Sequence, residues 1–118
     1  MRNDDDEVQA LLPLPPATFH ILVALSGGDR HGYGIIQDVE ARTNGELRLS
    51  AGTLYRTIQR LLEQGLITEQ SRIVRGDDPR RRYYRITKLG TAVVRADAER
   101  LAQMVSLARD AGLIEGVS

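Results

Sequence analysis

Between positions 52 and 69 the chain reads GTLYRTIQRLLEQGLITE. Leu54, Ile58, Leu61 and Leu62 recur there at the i, i+4, i+7, i+8 spacing of one apolar helical stripe. Ser50, just upstream, suits the N-cap, because its hydroxyl can accept a bond from an orphan backbone N–H. Gly65 follows the last periodic residue, where a helix can end in a left-handed glycine. At 100° per residue, Thr53, Arg56, Thr57 and Arg60 point away from the stripe. That outward face carries guanidinium and hydroxyl groups, and meets an acid only at Glu63 on its edge. A solvated helix face ordinarily mixes both signs of charge, so this one is suited to something negative. The alternative is a solvated face that happens to be basic. Tyr55 lies on the flank, either as a half-buried tyrosine with its hydroxyl bonded at an edge or as a base-stacking side chain.

The same reading extends along the chain. Residues 1–12, with DDDE at 4–7, read as a disordered acidic arm. PLPP at 13–16 is a rigid lead-in, and proline is tolerated at a first helical turn. A first helix is expected over residues 17–26, with Phe19, Leu22, Val23 and Ser26 inward and Gly27–Gly28 as its stop. A second is expected over 33–43, with Ile35, Ile36 and Val39 inward and Asn44–Gly45 as its stop. His31 reads as a turn or capping residue, and Gly32 and Gly34 as spacers at close helix packing. After the third helix the period changes to that of strands, over 66–74 and 81–87, around the turn cluster RGDDPR. Tyr83 and Tyr84 alternate, so one faces the core and the other solvent or a ligand. Thr87 can cap a last helix over 88–111, about 36 Å long at 1.5 Å per residue.

On that helix Val94, Ala98, Leu101, Val105 and Ala108 recur at spacings of 4, 3, 4 and 3, the a/d pattern of a helix packed along a partner. Leu89, Val93 and Ala96 sit beside this stripe and can pack back onto the rest of the chain. The expectation is a homodimer formed through this helix. The small Ala98 and Ala108 would allow close approach or leave a gap for a ligand.

Composition changes the picture in one respect. The 118 residues have a net charge of zero, yet positions 48–88 hold ten basic residues against four acids. Fifteen of the sixteen basic residues are arginine, which binds phosphate bidentately and stays charged. A segregated basic segment is the electrostatic footprint of a nucleic-acid binder. Cysteine is absent, which excludes disulfides, cysteine-ligated zinc and a cysteine nucleophile. No Ser/His/Asp set occupies a recognisable elbow, and the two histidines lack an acidic pair nearby, so neither an enzyme nor a metal or cofactor site is expected. No apolar run approaches the roughly 18 residues of a membrane span, and MRNDDDEVQA lacks the apolar core of a signal peptide. A cytoplasmic protein with no membrane association is expected.

Three helices, a hairpin and a long helix make a mainly α chain with a small β-hairpin: a winged helix-turn-helix over residues 13–87, a dimerisation helix over 88–112 and a tail over 113–118. The third helix is then the one that enters the major groove of double-stranded DNA. Ser50, Thr53, Tyr55, Arg56, Thr57 and Arg60 form its candidate reading surface. Arg75, Arg80, Arg81 and Arg82 on the wing, with Tyr33, are candidates for phosphate contact.

The chain also resembles the PadR family of bacterial transcriptional regulators. The resemblance is carried by HGY at His31–Tyr33, GTLY at Gly52–Tyr55, RLLEQGLI at Arg60–Ile67 and RRRYYRITKLG at Arg80–Gly90. It implies a winged-helix DNA-binding domain that dimerises through its C-terminal helix, in the family's compact branch. It also implies a repressor of an operator, often released by a small hydrophobic effector. Many members have proline directly after GTLY, where this chain has Arg56, an added donor on the reading face. Some compact members line a drug-binding cleft with tryptophan, which this chain lacks. Two rivals remain at this level: a winged-helix module whose basic face binds an acidic protein partner, and a MarR-like winged-helix regulator.

Overall fold

The computed structural model describes residues 4–71 and 81–115. Its elements are α1 (Asp4–Ala10), α2 (Pro16–Ser26), β1 (Arg30–His31), α3 (Gly32–Arg42), α4 (Ala51–Glu63), β2 (Ile67–Gln70), β3 (Tyr83–Ile86) and α5 (Lys88–Asp110). The three short strands form one antiparallel sheet in the order β1-β3-β2. Helices α2, α3 and α4 pack with this sheet in a winged helix-turn-helix, and α5 leads away from it.

Local chemistry sets most of the boundaries. Ser50 caps α4 by accepting from Thr53 N–H at 3.1 Å. At its other end Gly65 takes φ 74°, and Leu66 N–H reaches back to the Leu61 carbonyl at 3.0 Å. That pair of features closes a helix by satisfying its orphan carbonyls. His31 caps α3 by accepting from Gly34 N–H at 3.0 Å. Thr87 caps α5 by accepting from Gly90 N–H at 3.0 Å, while its hydroxyl donates to the Gly65 carbonyl at 2.8 Å. The start of α5 is thereby tied to the end of α4.

Ile21, Leu22, Leu25, Ile35, Val39, Leu54, Ile58, Leu61, Leu66, Ile67 and Val93 form the centre of the core. Several expectations need correction here. The buried face of α2 is Thr18, Ile21, Leu22, Ala24 and Leu25; Phe19 and Val23 are only half-buried, and Ser26 is exposed. This helix touches α3, α4, α5 and β3, so it is covered on several sides and its apolar residues do not mark one stripe. The expected disordered arm contains helix α1, whose Val8 is buried and which lies along α5. Leu11 and Leu12 follow Val8 at the i+3 and i+4 positions and pack on the core too. Their burial outweighs the polar composition that suggested disorder. The sheet also has a third strand, β1, which is only two residues long and so has no periodicity to read.

Two glycines set close approaches. A Cβ on Gly32 would lie 2.5 Å from the Tyr55 hydroxyl and 3.3 Å from Leu54 Cδ2. A Cβ on Gly90 would collide with the Leu66 carbonyl oxygen. Gly34 is not such a spacer, since a Cβ there would meet nothing nearer than 3.5 Å.

Candidate nucleic-acid interface

Helix α4 is amphipathic from its sequence upward. Leu54, Ile58 and Leu61 are buried beneath it, while Tyr55, Arg56, Gln59 and Arg60 are exposed and Thr53 and Thr57 half-buried. The hydroxyls are partly engaged. Thr57 donates to the Thr53 carbonyl at 2.8 Å, and Ser50 donates to Thr53 Oγ1 at 3.1 Å while capping the helix. Ser50, Thr53 and Thr57 therefore shape the face, and the long arginines reach furthest from it.

The arginines divide into two classes. Arg30 and Arg42 both bind Asp38, at 3.2 and 2.7 Å. Arg48 approaches Glu40 at 4.0 Å. Arg82, the residue before β3, pairs with Glu69 of β2 at 3.1 Å. Arg85 holds Asp29 through Nε and Nη2, fixing β3 to the turn before β1. For Arg82 and Arg85 the hydrogen bond to the carboxylate, and then its opposite charge, raise the guanidinium pKa above its ordinary value. Arg100 binds the buried Asp97 at 2.8 Å, a pairing within α5. Arg56 and Arg60 make no ion pair among the described residues.

Beside this face lies an open concavity of about 500 Å³, lined by His31, Gly32, Tyr33, Tyr55, Arg81, Arg82 and Tyr84. It joins the start of α3, the flank of α4 and the base of the wing. Tyr33 and Tyr55 are 58% and 53% exposed, so neither is a core residue. Tyr55 projects outward because its ring lies over Gly32, where no side chain competes. Tyr84 is the inward member of its pair and is buried, whereas Tyr83 is half-buried against the His31 ring. Arg81 is exposed, with Nη1 3.0 Å from His31 Nε2. The structure therefore brings Tyr33, Tyr55, Arg81 and Arg82 together beside α4. Arg75 and Arg80 lie outside the described residues. His31 and Gly32 were read from sequence as cap and spacer, and their place in this concavity comes from the β1–β3 pairing, which no local pattern announces.

The predicted dimer stripe is divided by the fold. Val94 is only 7% exposed and packs in the core of its own chain, so it is corrected from a partner contact to a core residue. Beyond the buried Asp97 the helix leaves the core. Ala98, Leu101 and Val105 are exposed and Ala108 is half-buried, with Met104, Leu107, Leu113 and Ile114 also exposed. Among the described residues no helix is long and apolar enough to cross a membrane, and no group of His, Asp and Glu is placed to hold a metal ion.

The sequence profile of the transcriptional regulator PadR-like family matches residues 21–96, from the middle of α2 into α5. The chain belongs to the PadR-like family. Membership separates it from the MarR-like alternative, and members are transcription regulators rather than enzymes. Over 85 residues the chain is 34% identical to the transcriptional regulator Rv3488 of Mycobacterium tuberculosis, covering 72% of this chain and 75% of that protein. Over 64 residues it is 42% identical to an uncharacterized protein of Lysinibacillus sphaericus, covering 54% of this chain and 58% of the relative. It thus spans less than two thirds of that second protein. The fold matches a transcriptional regulator from Clostridium thermocellum with a TM-score of 0.68 at 24% identity, over 93% of this chain and 96% of that one. It also matches Bacillus subtilis PadR in complex with operator DNA, with a TM-score of 0.60 at 21% identity, over 70% of this chain and 46% of that one.

Proposed function

We infer that this PadR-like protein is a dimeric, sequence-specific DNA-binding repressor acting in the cytoplasm on an inverted-repeat operator. The observation that carries the reading is the outward face of α4. Arg56 and Arg60 stand exposed there without a carboxylate partner among the described residues, although most other described arginines of the winged domain are paired. Unpaired guanidinium groups on the second helix of a helix-turn-helix suit guanine edges and phosphates in the major groove. Arg81 and the turn arginines of the wing, with Tyr33, would contact the backbone alongside. The operator complex of Bacillus subtilis PadR supports the reading by analogy of fold.

Dimerisation would use the outer half of α5. Leu101, Met104, Val105 and Leu107 leave an apolar surface there that the described residues do not cover, and such a surface usually marks an interface. A two-fold pairing presents the two reading helices to half-sites about one DNA turn, roughly 34 Å, or a multiple apart. A small hydrophobic effector held between the subunits would release the operator. With no tryptophan in the chain, aliphatic side chains and Met104 would line its site.

The test is Arg56→Ala on a duplex selected by the wild-type protein. Affinity should fall and preference should relax at one operator position, by about 1–3 kcal/mol for a lost arginine–guanine pair. Unchanged affinity together with unchanged preference would show that α4 is not the reading element.

A further inference from the structure

Two arginines at the base of the wing are paired, but the pairs differ in kind. Arg85 grips Asp29 with two arms of its guanidinium, Nε and Nη2, and the Asp29 side chain is only 15% exposed. That contact is a strut joining β3 to the turn before β1. Arg82 instead reaches Glu69 through Nη1, at 3.1 and 3.3 Å from the two carboxylate oxygens, and the two side chains are 70% and 40% exposed. An ion pair so open to water is weak, and shifts an equilibrium by at most about fivefold. It can be exchanged at little cost.

The position of the weak pair gives it a use. Glu69 stands opposite Tyr84 in the β2–β3 register, and Tyr84 and Arg82 both line the concavity beside α4 with Tyr33 and Tyr55. Burial first, then the charge of Glu69 and that of Tyr55, raise the Tyr84 hydroxyl, so the carboxylate acts on this same concavity. A carboxylate and a phosphate offer a guanidinium the same thing, anionic oxygens that accept charge-assisted hydrogen bonds. A duplex phosphate adds the release of its condensed counterions, which a lone carboxylate does not. We propose that Glu69 is an internal stand-in for a DNA phosphate: it holds the Arg82 guanidinium at the concavity in the free protein and yields it to the backbone when duplex binds. This rests on the DNA-binding reading above. Glu69 is then a positioning residue. It delivers Arg82 already extended, and the pair that must break, with the carboxylate left beside the backbone, sets an upper limit on affinity.

The test is a set of anisotropy titrations on a labelled duplex selected by the wild-type protein, over a series of salt concentrations. It compares wild type with Glu69→Gln, Arg82→Gln and the double variant, with a thermal melt of each. Glu69→Gln should bind about two- to fivefold more tightly, the scale of an exposed ion pair, with the slope of log K against log salt unchanged. Arg82→Gln should bind more weakly and flatten that slope by about 0.9, as one lost phosphate contact requires. On the Arg82→Gln background, removing the Glu69 charge should gain less than it does in the wild type, because no pair remains to be broken. Unchanged or weaker binding by Glu69→Gln would overturn the exchange while leaving DNA binding in place. A steeper slope in Glu69→Gln would show that Arg82 stays on Glu69 in the wild-type complex, and would overturn the handover. An unaltered slope in Arg82→Gln, or equal gains on the two backgrounds, would also overturn it, the second by reducing Glu69 to plain repulsion of the duplex. A wild-type protein that binds no duplex would overturn the DNA-binding reading and the exchange with it. Should the double variant fail to fold, the 15N shifts of the Arg82 guanidinium decide the question. They should change when duplex is added to the wild type, and should then coincide with those of the Glu69→Gln complex; shifts that do not change would overturn the exchange.

Discussion

Arg56 and Arg85 are the same residue type inside one basic segment, yet the fold gives them opposite roles. Arg85 is held by Asp29 from another part of the chain, whereas Arg56 extends from α4 with no ion pair among the described residues. The sequence showed the segregated charge, but Asp29 is 56 positions from Arg85 and Glu69 is 13 from Arg82, so it could not show which arginines are neutralised. Burial divides the tyrosines in the same way. Tyr84 lies in the core, and desolvation first, then the Glu69 charge, raise its hydroxyl above the ordinary value of 10.0. The folded state therefore holds that proton more tightly than the unfolded state. This contribution to stability is complete below about pH 10 and is lost as pH rises through the folded value. Denaturant titrations from pH 8 to 11 should show stability falling at the alkaline end, with a shallower fall in Tyr84→Phe. An equal slope in the variant would assign the alkaline loss to other groups.

At the scale of elements, hydrogen bonds and a close backbone approach tie α4, β2 and α5 together at one junction. Thr87 bonds both Gly90 N–H and the Gly65 carbonyl, and Gly90 lies directly against the Leu66 carbonyl. Gly90→Ala would force α5 away from backbone that cannot yield. Overpacking of this kind costs about 1–3 kcal/mol or more, and a lowered denaturation midpoint with an unchanged m-value would register it. An unaffected midpoint would mean that α5 shifts freely at its start. Helices α3 and α4 were legible because each announces itself by a cap, a stripe and a stop, as with Ser50, the run from Leu54 to Leu61, and Gly65; α5 was legible from its Thr87 cap and its stripe. Helix α1 was not, because four acidic residues at 4–7 hid the spacing of Val8, Leu11 and Leu12. Strand β1 exists only through its pairing of Arg30 with Tyr84 and His31 with Tyr83, so the concavity it builds could not be seen in sequence.

For the whole molecule, the central question is what covers the outer half of α5. Its 23 residues run about 34 Å at 1.5 Å per residue, further than the winged core extends beneath them. The stripe from Val94 to Ala108 was legible as a period, but the point where core gives way to surface was not. Asp97, buried against Arg100, is the last buried residue of the helix before that point. A dimer through Ala98, Leu101, Val105 and Ala108 predicts that Leu101→Asp buries an unpaired carboxylate in the seam, at a cost of several kcal/mol. Sedimentation should find that variant monomeric, with operator binding lost although α4 is unaltered. A dimer of wild-type affinity would move the interface elsewhere. The central claim, that this is a two-fold DNA reader, is tested most directly by selection of genomic fragments from the source organism on the purified wild-type protein, followed by footprinting of the recovered sites. The account predicts a shared inverted repeat whose half-sites are centred about one helical turn, or a multiple of it, apart. Recovered fragments with no common sequence, and binding that disappears at moderate salt, would contradict it.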